Sequence, residues 1–253
     1  MDYISKGVGV KWGAFSGRWG HSYIIKGMTT FVIKLIAIVT MVIDHVGLLF
    51  FPEEIIFRVV GRFSFPLFAW LIANGAKHTK NMNAYVVRLF VFALFSQIPY
   101  MMAHRTVIPG FLGLNIFFTL FLGLVGIKLI SSGVNKYLQA AGVILISLGA
   151  EFSGTDYGAV GVLSIIFFYI FYDNFKLMSV FQFLLHGVLW YVLFLGSGSG
   201  LSLLPLLQPV ALFSLIVIFF YSHRIGPKMR YLFYAFYPLH LLVLYFIRIY
   251  YVN

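Results

Sequence analysis

Three ionisable side chains lie within one strongly apolar stretch of the chain, residues 33–50: Lys34, Asp44 and His45. An imidazole can act as a general base near neutral pH, and a neighbouring carboxylate can orient it or stabilise its charge. Lys34 and His45 are about three helical turns apart, so a helix places them on one face about 16 Å from each other. This pattern predicts His45 as a catalytic base that is assisted by Asp44.

The same two central residues, Asp44 and His45, also have a structural interpretation. Neighbouring positions on a helix diverge by about 100°, so Asp44 alternatively serves a different helix from His45. A charge at the centre of a bilayer costs roughly 2.5–3.5 kcal/mol on insertion scales. The two residues therefore require an interior partner or a wet cavity, and a buried polar cluster that only locks helix packing satisfies the first condition.

Two arginines after the first apolar stretch are candidates for binding a substrate. Arg58 and Arg62 are four residues apart and share one face if this segment is helical. They either hold an anionic group, which guanidinium geometry favours, or pair with acids such as Asp44, Glu53 or Glu54. Both alternatives are compatible with the sequence.

Further polar residues are candidates for contacts with the phosphates of a co-substrate. These residues, which lie at the ends of apolar segments, are Asn74, Lys77, Lys80 and Arg88. Lys34 belongs to the same group because its long side chain can reach the membrane surface. An ordinary basic loop at the edge of a membrane explains Lys77 and Lys80 equally well.

Two later pairs are also candidates for substrate binding. Asp156 and Tyr157 open an apolar segment, where the acid either caps a helix or receives an acceptor amine. Tyr237 and His240 are three residues apart and share a helix face, and Pro238 leaves a backbone carbonyl without its usual donor. A lone histidine in such a helix is more often a packing residue, so both roles stay open for His240.

The composition places these residues in an integral membrane protein. Of the 253 residues, 61% are hydrophobic and 10% are charged, and the mean hydropathy is +0.96, whereas soluble domains carry about 25% charged residues. There is no cysteine, which excludes disulfides and thiolate chemistry. The absence of cysteine also excludes thiolate metal sites, and we expect no metal. We expect no nucleic-acid binding, because the basic residues that give the net charge of +11 mostly lie between apolar segments.

The apolar segments predict an all-α polytopic fold, a single bundle of about nine transmembrane helices (eight to ten) with a cytoplasmic N-terminus. We expect spans near residues 32–51, 63–76, 87–103, 111–130, 137–150, 158–172, 178–195, 203–222 and 231–247. With that orientation, all 18 Lys and Arg residues fall on the cytoplasmic side except Arg58, Arg62, Arg105 and Arg248, as the positive-inside rule requires.

The chain divides into a short extension and one membrane domain. Residues 1–27 are basic and glycine-rich, and we expect a cytoplasmic or interfacial extension rather than a signal peptide. Met28 is a plausible natural start, which would make that segment an upstream extension. Residues 28–253 form the predicted transmembrane domain.

Several segments together resemble the TraX family across roughly residues 28–247. They include IKLIAIVTMVIDHVG, GRFSFPLFAWLIANGAKHTKN, YVVRLFVFALFSQIPY, DYGAVGVLSI and FYAFYPLHLLVL. The family is named for a conjugation protein that acetylates the N-terminus of F-pilin in the bacterial inner membrane. A weaker resemblance links the basic residue, ten-residue gap and histidine of the first span to acyltransferase-3 enzymes, although Lys34 stands where arginine is usual. Lysine cannot form a planar bidentate clamp, so that departure leaves the role of Lys34 open.

These resemblances imply a multi-pass enzyme of the bacterial cytoplasmic membrane with acetyl-CoA as its cytoplasmic co-substrate and His45 as its catalytic histidine. The acceptor implied is an amine or hydroxyl on a peptide, such as a pilin N-terminus, or on a glycan or lipid. Membrane lipids surround the chain. Intramembrane ionisable residues are equally a feature of transporters and flippases, and an assembly factor that only chaperones a membrane substrate is a third possibility.

Overall fold

The structure is a computed structural model that describes residues 27–196, 205–227 and 230–252. Within these ranges the regular structure is helical, and two isolated β-bridges join Met28 to Tyr221 and Leu114 to Thr155. The prediction of an all-α chain is confirmed. Residues 1–26 of the predicted extension, and residues 197–204, lie outside the described residues.

Eleven α-helices follow one another in the described residues, with one π-helical and one 3₁₀ segment. In chain order the α-helices are α1 Thr30–Phe50, α2 Ile55–Gly61, α3 Ser64–His78, α4 Met82–Arg105, α5 Ile116–Ile130, α6 Lys136–Phe152, α7 Gly158–Ile170, α8 Phe175–Phe183, α9 Trp190–Gly196, α10 Ser214–Phe219 and α11 Arg230–Tyr251. The π-helical segment Leu184–Leu189 joins α8 to α9, and the 3₁₀ segment Pro205–Phe213 leads into α10.

Five helical segments of the described chain are long and apolar enough to cross a membrane. They are Thr30–Phe50, Ile55–His78, Met82–Arg105, Phe175–Leu193 and Leu232–Tyr251. Shorter apolar helices cover Ile116–Ile130, Gly158–Ile170 and Leu207–Phe219. These lengths support a helical membrane protein, while the count of nine spans and the cytoplasmic N-terminus stay predictions.

The second segment begins earlier than the sequence analysis predicted. The expected span started at residue 63, but the chain is already helical from Ile55 and breaks only between Gly61 and Ser64. The two glutamates and Arg58 in this region look like a polar loop in the sequence. Glu53 and Glu54 lie before the helix, and Arg58 lies within it, where its charge is neutralised by Asp44 of α1.

Side chains at the helix starts explain why the helices begin where they do. Thr29, Asn81, Asn115 and Asn174 each accept a hydrogen bond from a backbone N–H in the first turn of the following helix. Such caps satisfy donors that have no partner within the helix. The polar breaks in the sequence therefore mark helix starts rather than flexible linkers.

The centre of the bundle is formed by two short helices, α5 and α7, which pack against each other and against α3. Gly123 and Gly126 of α5 face Ile165 and Ile166 of α7, and a Cβ at either glycine would overlap the isoleucine side chain opposite. The glycines thus let the two helices approach closely. The functional side chains described below lie around this centre, on α1, α3, α4 and α11.

The bundle has two ends, each named here after one residue. We call the end where α1 and α4 begin the Lys34 end. There Lys77 lies 3.9 Å from Asp173, and the Ser131 hydroxyl lies 3.1 Å from the Tyr169 phenol. These contacts bring the end of α3, the end of α5 and the α7–α8 turn together.

We call the opposite end, where α1 and α4 finish, the Arg58 end. Its connections are made by the Gln97 amide, which donates to the Gly113 carbonyl at 2.9 Å, and by the bridge of Leu114 to Thr155. The loop before α5 and the turn before α7 are therefore anchored next to α4. The geometry of this end therefore depends on backbone groups that side chains hold in place.

Close packing of α1 against α2 gives a stability prediction. A Cβ at Gly61 would overlap the carboxyl group of Asp44, so Gly61→Ala should reduce the free energy of unfolding by about 1–3 kcal/mol. The measurement is the thermal unfolding midpoint of the purified protein in detergent. The control is Gly149→Ala in α6, where a methyl group meets no described atom within 4 Å. Equal midpoints for the two variants would contradict the packing argument.

Candidate functional site

A cluster of three buried histidines lies inside the bundle. The Nδ1 atom of His45 is 2.9 Å from the Nε2 atom of His240, and their ring centroids are 5.0 Å apart. The His104 ring meets the His45 ring edge-on at 6.0 Å between centroids, and the Tyr237 ring does so at 6.3 Å. The cluster thus joins α1, α4 and α11, which lie far apart in the sequence.

Two of these histidines are held by their own helices. The Nδ1 atom of His104 lies 2.9 Å from the Tyr100 carbonyl oxygen, and that of His240 lies 3.0 Å from the Phe236 carbonyl oxygen. Each contact spans one helical turn. Because a carbonyl oxygen only accepts, both rings carry a proton on Nδ1.

Asp44 pairs with an arginine and not with the neighbouring His45. One Arg58 guanidinium nitrogen lies 2.9 Å from a carboxylate oxygen of Asp44, and about a fifth of each side chain is exposed. This pairing is one of the alternatives that the sequence left open, since adjacent helical positions point in different directions. The position next to the imidazole that we expected Asp44 to occupy is taken by His240.

A second polar group lies at the Arg58 end beside this ion pair. The guanidinium of Arg62 lies beside the Tyr157 phenol, and Tyr157 stacks on Phe65 at 4.0 Å between ring centroids. Burial raises the pKa of Asp156 to about 6, and the charge of Asp44 adds to this effect while the guanidinium of Arg62 opposes it. Asp156 therefore lies in a partly shielded, mixed-charge environment.

The side-chain cap of α7 comes from a different acid than the sequence suggested. A carboxylate oxygen of Glu151 accepts the Ala159 backbone N–H at 2.9 Å. Thr119 binds the backbone carbonyl of Asp156 through its hydroxyl. Tyr157 adopts a left-handed backbone conformation, φ 66°, immediately before the helix. These contacts hold the turn so that Asp156 and Tyr157 face the polar group at this end.

A cavity of about 310 Å³ occupies the Lys34 end of the bundle. Helices α1, α3, α4, α5 and α11 contribute its walls. The residues lining it are Thr30, Lys34, Ile38, Met41, Phe68, Leu71, Ile72, Asn74, Gly75, His78, Thr79, Tyr85, Arg88, Leu89, Ile116, Phe117, Leu120, Phe233, Tyr234 and Tyr237. This lining is apolar towards the bundle interior and basic near the start of α1 and α4.

The two cations of the cavity are held by aromatic rings. The Lys34 ammonium lies 5.1 Å from the centroid of the Phe233 ring, and the Arg88 guanidinium lies 5.5 Å from that of Tyr85. The described lining contains no carboxylate to neutralise them. The cavity is therefore electropositive, as is suitable for an anionic ligand.

Tyr237 connects the cavity to the histidine cluster. It lines the cavity together with Met41 and Phe117, and its ring packs against His45. Its ring centroid is 5.5 Å from that of His240. A ligand at the inner end of the cavity is thus separated from the imidazole of His45 by one aromatic side chain.

The structure brings most of the predicted site residues into two places and leaves two of them elsewhere. Those in the cavity are Lys34, Asn74, Arg88 and Tyr237, and those at the Arg58 end are Asp44, Arg58, Arg62, Asp156 and Tyr157. His45 and His240 lie between the two sets. Lys77 points to Tyr169, 4.5 Å from its ring centroid, and Lys80 is exposed outside the cavity lining.

Some residues of the site were missed by the sequence analysis. His104 and Tyr100 are near the end of α4 and carry no spacing signal that links them to α1. Tyr85 lines the cavity, but in sequence it looks like part of an apolar run. The one available signal was that His104 lies four residues after Tyr100, so both share a helix face.

The fold and the site together define a helical membrane protein with a buried histidine pair next to an electropositive cavity. The family described as TraX protein matches residues 30–248. Because the match covers most of the chain, the protein belongs to the TraX family, as the resemblance of its segments predicted.

Several named proteins are similar in sequence to this chain. The probable fimbrial assembly protein FimC, serogroup H1, of Dichelobacter nodosus is 26% identical over 243 residues, which cover 85% of this chain and 94% of that protein. Protein TraX of Escherichia coli is 31% identical over 143 residues, 56% of this chain and 55% of that protein. The chain thus spans about half the length of that TraX protein. No solved structure matches the chain.

Proposed function

We propose that this protein is a multi-pass acetyltransferase of the bacterial cytoplasmic membrane. It moves an acetyl group from acetyl-CoA to an amine or hydroxyl of an acceptor. The Lys34 end faces the cytoplasm, as the distribution of basic residues along the sequence favours. The acetyl donor enters there, and the acceptor approaches the histidine cluster from the Arg58 end.

One observation carries this proposal. An electropositive cavity begins at Lys34 and Arg88 and ends at Tyr237, the side chain that packs against His45. Acetyl-CoA has the same two-part character, because its phosphates are anionic and its pantetheine arm and acetyl group are uncharged. The cations suit the phosphates, and the apolar inner part of the cavity suits the arm. This arrangement delivers a thioester towards a buried imidazole.

The histidine then acts as a general base. A neutral amine nitrogen of the acceptor attacks the thioester carbonyl carbon, and His45 accepts the proton that this nitrogen loses. The carbon–sulfur bond breaks as the carbon–nitrogen bond is completed. The leaving thiolate takes a proton from the imidazolium, so the products are the acetylated acceptor and the free thiol of coenzyme A.

The acceptor is inferred from the relatives and from the polar group at the Arg58 end. The name of the Dichelobacter nodosus relative refers to fimbrial assembly, and the TraX family is named in connection with F-pilin acetylation. A pilin N-terminus is therefore the first acceptor to test. The N–H groups of its neutral amine can donate to the carboxylate of Asp156, because the carboxylate of Asp44 is already paired with Arg58.

The experiment uses the purified protein in lipid nanodiscs with radiolabelled acetyl-CoA. We expect saturable binding and transfer of label to the membrane or surface fraction of cells that lack the gene, and mass spectrometry of those fractions identifies the acceptor. Absence of binding, together with proton-coupled solute uptake into liposomes, would replace the proposal with a transporter.

A further inference from the structure

The contact between His45 and His240 determines the protonation of both rings. The two facing nitrogens are 2.9 Å apart and can share only one proton between them. His240 Nδ1 already donates to the Phe236 carbonyl oxygen at 3.0 Å. In a neutral His240 ring, Nε2 is therefore the acceptor.

This pattern fixes the tautomer of His45. Because His240 Nε2 accepts, His45 Nδ1 must carry the proton and donate it. The lone pair of the His45 ring is then on Nε2, the nitrogen that points away from His240. A general base needs its lone pair on the nitrogen that faces the reacting group.

None of the other described neighbours of His45 accepts a hydrogen bond from its Nδ1 atom. Asp44 is committed to Arg58 at 2.9 Å. His104 and Tyr237 meet the His45 ring edge-on, with centroids 6.0 and 6.3 Å away, so they restrict the tilt of the ring. A histidine on α11 thus occupies the place that a carboxylate holds beside the base in many hydrolases.

We propose that His240 is a positioning residue that holds His45 in the Nδ1–H tautomer, with Nε2 available as the base. This role rests on the proposed function, in which His45 takes the acceptor proton. When Nε2 becomes protonated, the imidazolium continues to donate from Nδ1 to His240. No proton has to move to His240, which acts through a retained hydrogen bond.

Two substitutions separate positioning from packing. His240→Gln keeps an acceptor oxygen near the position of Nε2, whereas His240→Phe keeps a ring and removes the acceptor. We expect His240→Phe to lower the transfer rate at saturating acetyl-CoA by about 100-fold with little change in KM for acetyl-CoA. His240→Gln should retain most of the rate. Equal loss of rate in two variants that both fold would contradict the positioning role.

A spectroscopic readout tests the tautomer independently of activity. Nitrogen NMR of the full chain with labelled histidine distinguishes protonated from unprotonated ring nitrogens, and His45→Gln identifies the His45 signals. We expect Nδ1–H in the unmodified protein and a change of tautomer in His240→Phe. A His45 ring protonated on Nε2 in the unmodified protein would overturn the inference. An unmodified protein that transfers no acetyl group would remove the proposed function, and the NMR result would still decide how the pair is protonated.

Discussion

Replacing His45 by alanine is expected to lower acetyl transfer by at least about 100-fold, the lower range for loss of a general base. The imidazole is buried between α1, α4 and α11 and lies behind the inner end of the cavity. No other side chain of the described cluster combines that position with a hydrogen bond to His240. The measurement is transfer of label from acetyl-CoA to the acceptor fraction in reconstituted membranes.

The control for this variant is His223→Asn, which changes an exposed histidine in the turn after α10. His223 has a left-handed backbone, φ 55°, which asparagine tolerates. Both variants should be recovered from the membrane in similar amounts. Transfer by His45→Ala at the rate of the control would show that the imidazole is not the base. Normal biological function after changing both Asp44 and His45 would favour a chaperone role.

The second large effect is expected on donor binding. Lys34→Ala and Arg88→Ala should each raise KM for acetyl-CoA by about 10-fold or more, since a hydrogen bond to a charged group is worth about 1.5–3 kcal/mol. Both cations line the cavity, and the described lining has no acid that would compete with a phosphate. The measurement is the dependence of the transfer rate on acetyl-CoA concentration, with equilibrium binding as a second readout.

Lys80→Ala is the matched control for the donor site. Lys80 is exposed, and it lies close to the cavity in sequence but outside its lining. Its loss should leave KM for acetyl-CoA within a factor of about two, as is usual for a screened surface charge. If Lys80→Ala and Lys34→Ala change KM equally, long-range attraction rather than a bound phosphate is responsible.

The sequence predicted the parts of this site that depend on local periodicity. Tyr237 and His240 share a face of α11 because they are three residues apart, and the structure places both against His45. The polar breaks predicted that helices begin near them but not where: the expected spans began at residues 87 and 111, whereas Asn81 and Asn115 cap helices that begin at Met82 and Ile116. Helix periodicity and capping are local properties, so a single sequence contains them.

The parts of the site that the sequence did not predict depend on which helices pack against each other. His104 and His240 reach His45 only because α4 and α11 pack together and α11 lies beside α1. Asp44 and His45 diverge by about 100° on their helix, and the sequence does not specify which faces Arg58. The cavity is bounded by five helices, and its shape follows from their packing and not from a motif.

The most direct test of the account is a structure of the protein with an unreactive acetyl-CoA analogue in which the thioester sulfur is replaced by a methylene group. We expect the phosphates to lie beside Lys34 and Arg88 and the acetyl group to lie beside Tyr237. There its carbonyl carbon is open to attack by an acceptor that is hydrogen-bonded to His45. An analogue bound elsewhere, or one whose acetyl group points away from Tyr237 while His45 faces lipid, would contradict it.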